Sequence, residues 1–357
     1  MSMFFFLLFC LLIIYIYFGY PLLLIIFSKI RPAPFVKKAD IAPIVSIIVP
    51  AYNEEKVIGK KIENALALDY PKDKLEITVT SDASTDETNN IVQAYAGREV
   101  KLIAWPERKG KTAMLNSLVP TARGEIIVFT DANAMFRKDA IRMLVRNFAD
   151  KSVGCVCGEL YLTNQESHTA RGEGFYWWYE TFLKRKESET GSVLFTNGAI
   201  YAIRKSLFEP LASGWADDFM LPLSIARRGY RSVQEPEAVG FERTSMLAVD
   251  EFRRKIRIIT RDSSAYFCSK GMLGRPFRPL LAFQLFSHKL LRWLSPLFLA
   301  IILVFNLLLL DNTLCCLAFM VQLCFYSLAI LAWFLEKKGV HVESRCLSIP
   351  YHFCVVI

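Results

Sequence analysis

Four polar clusters follow one another along this chain of 357 residues: Ser-Asp-Ala-Ser-Thr-Asp at 81–86, Asp131-Ala132-Asn133, Ala216-Asp217-Asp218, and a basic run from Arg253 to Arg261. Each acidic cluster follows or abuts an apolar run that reads as a buried strand, which places carboxylates at strand ends. In open α/β sheets that edge is where ligands bind. Carboxylates gathered there with Lys and Arg suit a divalent cation and a diphosphate.

Holding these clusters in place requires alternating strands and helices, and the sequence supplies them. Val45–Pro50, Leu75–Thr80, Val100–Trp105 and Glu125–Thr130 read as strands. Glu54–Leu68, Asp86–Tyr95, Lys111–Leu118 and Lys138–Phe148 have helical spacing, the second starting at a Ser/Thr/Asp cap. Such alternation predicts a mostly parallel sheet wrapped by helices. Beyond Val153 the pattern becomes mixed, as where a subdomain for a second substrate is added. The turn after the first strand, Pro50-Ala51-Tyr52-Asn53-Glu54, contains no glycine. That excludes the Gly-rich fingerprint of a dinucleotide-binding domain.

The chain is 53% hydrophobic with a mean hydropathy of +0.30, and the excess sits at its two ends. Phe4 to Phe27 carries no charge and is long enough to cross a bilayer, with neither a basic leader before it nor a cleavage site after it. Residues 1–30 therefore read as a retained transmembrane helix and 31–43 as a linker. Two further spans, from about Trp293 and from Thr313, form a hairpin over 293–335. Residues 276–292 read as an amphipathic helix lying on membrane lipids, with His288 at the head-group level. Lys29, Arg31, Lys37, Lys38, Lys289, Arg292, Lys337 and Lys338 flank the spans, and the hairpin turn at Asp311-Asn312 has no basic residue. This predicts a multi-pass protein of the cell membrane with the domain at 44–275 in the cytoplasm. Residues 336–357 read as a cytoplasmic loop and an apolar segment too short to span, for which truncation is favoured over an interfacial segment. The net charge of +9 lies beside the spans and in Arg253–Arg275. It fits lipid head groups and a nucleotide diphosphate, not nucleic acid. The nine cysteines show no metal-binding spacing and read as small apolar fillers.

In their order, these clusters resemble those of membrane-bound family 2 glycosyltransferases, over roughly Ile44 to Trp293. The resemblance implies an α/β GT-A nucleotide-sugar-binding domain flanked by transmembrane helices, a divalent cation (Mg²⁺ or Mn²⁺) and a UDP-sugar donor. Pro50, Tyr52 and Glu54 then lie along the nucleoside, and Asp82 matches the base-reading aspartate, able to accept the N3–H of uracil. Lys111, opening a helix, adds its ammonium to the field around the phosphates. Asp131 and Asn133 stand at the metal-binding Asp-x-Asp, with Asn a weaker ligand than carboxylate. Asp218, with Asp217 beside it to raise its pKa, corresponds to the catalytic base that accepts the acceptor hydroxyl's proton. Asn197, Gly198 and Ala199 correspond to the acceptor pocket, where Gly198 lets a sugar approach the backbone. The aromatics at Phe175, Tyr176, Trp177, Trp178 and Tyr179 divide between sugar stacking and core. Arg254 and Arg257 match the Gln and Arg of a Gln-x-x-Arg-Trp motif and would grip the diphosphate, while Ile258 replaces its Trp and weakens the case for processivity.

Three readings follow. The first is an inverting transferase in extracellular or capsular polysaccharide synthesis from a glycan acceptor, which calls for an oligomer or partner membrane subunit because three helices hardly enclose a channel. The second is transfer of one sugar to a lipid-linked acceptor at the cytoplasmic face. The third is a catalytically impaired nucleotide-sugar-binding subunit, which only Asn133 supports.

Overall fold

The computed structural model describes residues 1–163, 168–243, 248–268, 279–338, 340 and 344–356. β1 (Val45–Ala51), β2 (Leu75–Asp82) and β4 (Ile126–Phe129) are rich in apolar and β-branched residues and buried along nearly their whole length, while β3 (Val100–Trp105) is an edge strand with only Val100 buried. They pair in parallel in the order β3-β2-β1-β4. The helices α1 (Ser2–Ile30), α2 (Ile58–Leu66), α3 (Thr88–Gln93) and α4 (Lys111–Thr121) come before or between them. The short β5 (Met135–Phe136) and α5 (Ala140–Val145) lead to β6 (Val153–Thr163), the long α6 (His168–Thr190), β7 (Tyr201–Arg204), α7 (Asp217–Arg227), β8 (Arg231–Arg243) and α8 (Ala248–Cys268). The sheet continues β4-β7-β6-β8-β5, antiparallel at β4/β7, β7/β6 and β8/β5 and parallel at β6/β8. The mixed half begins where the sequence loses its regular alternation. One apolar core lies on each face of the sheet, with Ile47, Val49 and Ile62 in one and Ile48, Phe129 and Phe219 in the other.

After α8 come α9 (Pro279–Trp293), α10 (Ser295–Leu307), α11 (Thr313–Lys337) and α12 (Arg345–Val356). α1 and α11 are long and apolar enough to cross a membrane, while α9 and α10 meet at a 56° bend and together could make one broken span. The expected second span is thus a helix of 13 residues. At about 1.5 Å per residue it falls short of a hydrocarbon core of about 30 Å on its own. Residues 269–278, where the domain was expected to end and the interfacial helix to begin, lie outside the described residues.

α9 corrects the sequence reading. Gln284, Ser287, His288 and Leu291, at i, i+3, i+4 and i+7, are buried, and His288 is only 1% exposed, while Phe286 points outward. The helix turns a polar face inward because buried carboxylates of α6 await it. His288 therefore does not sit among head groups. α1 is also tied to the domain: the Tyr20 hydroxyl donates to Glu187 (2.7 Å), Tyr15 bonds Ser287 (2.7 Å), and the Tyr179 hydroxyl donates to the Tyr17 carbonyl (3.0 Å). Both α1 and α9 contain a π-turn, at Tyr15–Gly19 and Leu285–Leu290, and the Tyr15–Ser287 bond joins the two. Such turns are rare and often mark functional sites.

Candidate active site

The ends of β1 and β2 are stitched together by their loops. Asn53 adopts a left-handed φ of 54°, which Asn tolerates, and its Oδ1 accepts the Thr85 N–H (2.9 Å). Glu54 N–H donates to Thr88, and Asp86 accepts the N–H groups of Glu55 and Thr88, while the N-cap position of the helix, where Asp86 was expected, is held by Glu87. Asp82 accepts the backbone N–H of Lys109 (2.7 Å) and of Gly110, which has a φ of 80° that glycine allows. This carboxylate thus shapes the loop before α4, a task the sequence did not reveal. In the same loop the Arg108 guanidinium lies 3.7 Å over the Tyr52 ring and 3.8 Å from Asp82.

Lys111, the first residue of α4, reaches across the site. Its ammonium lies 3.3 Å from Asp131 and 3.2 Å from Asp217, joining the acidic cluster after β4 to the one opening α7. Burial opposes its charge, but Asp131, Asp217 and Asp218 outweigh this and raise its pKa. Lys111 therefore already carries two carboxylates, beyond the phosphate role expected of it. Burial also works against the Asp131 charge, yet Lys111, Lys61 and Arg254 hold its carboxyl below the usual range. Lys61 lies beneath, with Thr130 Oγ1 at 2.7 Å and the Ala134 carbonyl as acceptors, so one buried ammonium ties both flanks of the 131–133 turn. Asn133 donates its Nδ2–H to Glu242 (3.1 Å), which leaves Oδ1 as the end for a cation. Glu242 also lies 3.8 Å from Arg254, and nothing in the local sequence pattern pointed to it.

Asp217 is buried, accepting the Tyr201 hydroxyl at 2.6 Å besides pairing with Lys111. Asp218 is the more open of the two. Burial, Asp217 and Asp262 push its carboxyl up to about 7 against the opposing Lys111 and Lys289. It packs against the segment before β7: Thr196 donates its N–H and hydroxyl to the Asp218 carbonyl, and a Cβ on Gly198 would stand 3.2 Å from Asp218 Oδ2. Gly198 thus makes room for the carboxylate itself, a closer reason for glycine than an approaching sugar. Asn197 is buried, its Nδ2–H donating to the Gly158 carbonyl and its Oδ1 accepting from Lys184, and Ala199 is buried beside it.

The polar residues at the strand ends surround one cavity of about 860 Å³. At one end lie Pro50, Tyr52, Glu54, Asp82 and Arg108; in the middle Lys111, Asp131, Asn133, Asp217 and Asp218, with Asn197, Gly198 and Ala199; and from α8 come Arg254 and Arg257. Arg253 is exposed and does not line it, and Arg261 donates to the carbonyls of Gly214 and Trp215. Tyr17, Trp177, Lys184, His288, Arg292 and Trp293 line the wall as well. Of the five aromatics, Trp177 faces the cavity, Tyr179 bonds α1, and Trp178 is exposed and stacked on Phe182. The side chains of Phe175 and Tyr176 lie outside those described.

Among the described residues, no three His, Cys, Asp or Glu side chains gather as a metal cage. One carboxylate and one amide oxygen, at Asp131 and Asn133, fit a Mg²⁺- or Mn²⁺-like cation that takes its remaining ligands from diphosphate and water.

Residues 46–211 match glycosyl transferase family 2. A Bacillus subtilis protein described as a probable glycosyltransferase, YdaM, is 32% identical over 216 residues, 56% of this chain and 50% of that protein. A beta-monoglucosyldiacylglycerol synthase of Synechocystis sp. is 31% identical over 156 residues, 42% of this chain and 33% of that one. The chain spans about half or less of these relatives' length. Among solved structures, the mannosyltransferase PcManGT of Pyrobaculum calidifontis, in complex with GDP-Man and Mn²⁺, superposes with a TM-score of 0.72 at 26% identity, covering 99% of this chain and 97% of that one. The family match, the relatives and the chain-long superposition agree with the site's layout: residues 46–211 of this chain form a glycosyl transferase family 2 domain, of GT-A fold.

Proposed function

We propose that the protein transfers one sugar from a nucleoside diphosphate sugar to a hydroxyl of a membrane lipid, with inversion at the anomeric carbon. The observation that carries this reading is the cavity's reach. It runs from Tyr52 and Asp82, past Asp218, to Tyr17 of the apolar α1. A lipid held at the membrane surface can offer its hydroxyl to Asp218 along that path. The monoglucosyldiacylglycerol synthase among the relatives adds support. Polymer synthesis would require a passage for the growing chain, and Ile258 leaves no aromatic platform at the Trp position of the basic motif. The basic residues flanking the apolar helices support a cytoplasmic domain at the inner face of the cell membrane.

In this mechanism the diphosphate lies between Arg254, Arg257 and the Asp131 turn, with the nucleoside against Tyr52 and Arg108. Asp131 and Asn133 would hold a divalent cation, which supplies positive charge to the leaving diphosphate. Asp218 takes the proton of the acceptor hydroxyl as that oxygen bonds to the anomeric carbon and the bond to the diphosphate oxygen breaks. Asp217, fixed by Tyr201 and Lys111, keeps Asp218 basic enough for this. UDP and GDP donors both fit the site's chemistry, with Asp82 available to a base N–H through the acceptor positions its loop leaves open. The test uses full-length protein in lipid nanodiscs with Mn²⁺ and a panel of UDP- and GDP-sugars. Solvent-extractable label from one donor, lost in Asp218→Asn with nucleotide binding retained, is the expected result. Label found only in water-soluble polymer would overturn the lipid reading.

A further inference from the structure

The end of the cavity that reaches Tyr17 of α1 holds a dense set of buried charges, and the transfer mechanism uses only Asp262 and Lys289, through Asp218. Three carboxylates there have their own partners. Glu180 pairs with Arg292, Asp262 with Lys289 at 3.2 Å, and Glu187 with His288 at 2.5 Å and with the Tyr20 hydroxyl. Lys184 differs from its neighbours. It is 2% exposed and lines the cavity, yet its ammonium makes no carboxylate pair among the described residues. It donates to Asn197 Oδ1 and lies 4.6 Å from the Phe195 ring and 5.9 Å from the Trp177 ring. An ammonium has three N–H donors, so one amide oxygen does not satisfy it. Burial lowers its pKa even though Glu180 and Asp218 act on it through space.

A second donor at this end is also unmatched. The Trp177 indole N–H is buried without a hydrogen-bond partner, and Trp177 lines the same cavity. Burying such a group without an acceptor is costly, and a ligand oxygen would recover that cost. Two donors with capacity to spare around one space suit the oxygens of a phosphate-like group. Tyr17 of α1 and Trp293 of α9 line that space as well.

We propose that this end of the cavity is a subsite for a phosphate group carried by the lipid acceptor, bound by the Lys184 ammonium and the Trp177 indole N–H. The proposal rests on the lipid-acceptor reading and narrows it: the acceptor is a phospholipid whose free hydroxyl lies a short reach from its phosphate, so that the hydroxyl meets Asp218. Diacylglycerol and other uncharged lipids would be poorer substrates.

The test uses full-length protein and the donor that turns over. Acceptors are phosphatidylcholine vesicles containing either phosphatidylglycerol, which combines a phosphate with free hydroxyls, or diacylglycerol. The wild type should prefer phosphatidylglycerol. Lys184→Met should raise the KM for it by about 10- to 100-fold, the usual range for losing a charge-assisted hydrogen bond, and erase the preference over diacylglycerol. Trp177→Phe, which removes only the N–H, should raise it several-fold. The dissociation constant for the nucleoside diphosphate should not move. Soluble glycerol phosphate separates a lipid from a free phosphate ester; saturation by it at the lipid's KM would overturn the membrane source. A preference unchanged in Lys184→Met would overturn the subsite while leaving lipid transfer standing. A loss of nucleotide affinity in parallel would make Lys184 a prop for Asn197 and overturn it too. Transfer to a soluble glycan and to no lipid would overturn the lipid reading and the subsite together.

Discussion

Asp262→Asn tests whether Asp218 is the base and whether its environment sets its strength. Asp218 is lifted from an ordinary aspartate value of 3.8 to about 7. At about 1.36 kcal/mol per pKa unit, roughly 4 kcal/mol separates its two protonation states from those of a free side chain. Burial is the largest cause, then Asp217, then Asp262, with Lys111 and Lys289 opposing. Lys289 is itself held by Asp262 at 3.2 Å. Replacing Asp262 by Asn therefore removes a repelling anion and releases a cation, and both changes favour ionised Asp218. A unit charge at about 4 Å through an effective dielectric of about 20 is worth about 4 kcal/mol, and proportionally less farther away. The sign follows: the base is active when deprotonated, so wild-type kcat/KM should fall as pH drops through about 7, and this acid limb should move down by one to two units in Asp262→Asn. The assay is initial release of nucleoside diphosphate between pH 5 and 9, with nucleotide affinity measured at each pH. The donor's phosphodiesters stay ionised over this range, so the limb belongs to the enzyme. An active Asp262→Asn enzyme with its acid limb unmoved would refute the assignment of Asp218 as the titrating base.

Three further outcomes are expected. Lys61→Met, which cuts the buried tie between Thr130 and Ala134, should weaken Mn²⁺ activation by about tenfold, at the scale of one or two lost hydrogen bonds, and unchanged metal dependence by titration would remove Lys61 from the site's support. Asn133→Asp should tighten Mn²⁺ binding severalfold but lower the melting temperature of the metal-free protein, because a second carboxylate would face Glu242; calorimetry with and without Mn²⁺ reads both. Arg108→Ala, which removes the guanidinium over Tyr52, should raise the donor KM about three- to tenfold with little change in kcat, and a change in kcat alone would place Arg108 elsewhere in the reaction.

What could be read from the sequence was what neighbours along the chain determine. Val45–Pro50 and Leu75–Thr80 announce buried strands by composition, and a carboxylate at a strand end falls at the ligand edge however the rest folds. Glu242, Tyr201 and Lys184 act through partners 109, 16 and 13 residues away, and no local period records such pairings. His288 was misplaced for a more instructive reason. An amphipathic helix beside apolar spans is expected to turn its polar face to water, but α9 turns Gln284, Ser287 and His288 into the protein and Phe286 outward. The stripe was visible, and its direction was set by Glu180 and Glu187, a hundred residues earlier.

The hydrogen bonds between α1 and the domain bear on how such an enzyme can evolve or be cut down. Tyr20 shares Glu187 with His288, and Tyr17 forms part of the cavity wall. Deleting the first helix would thus leave Glu187 short of a donor and strip Tyr17 from the cavity wall, so that, on the reading proposed above, attachment and turnover would be lost together. On that reading, a variant without the helix would also need a new wall for the cavity. For the same reason, variation along α1 should follow the chemistry of the acceptor more closely than the mere need to be greasy.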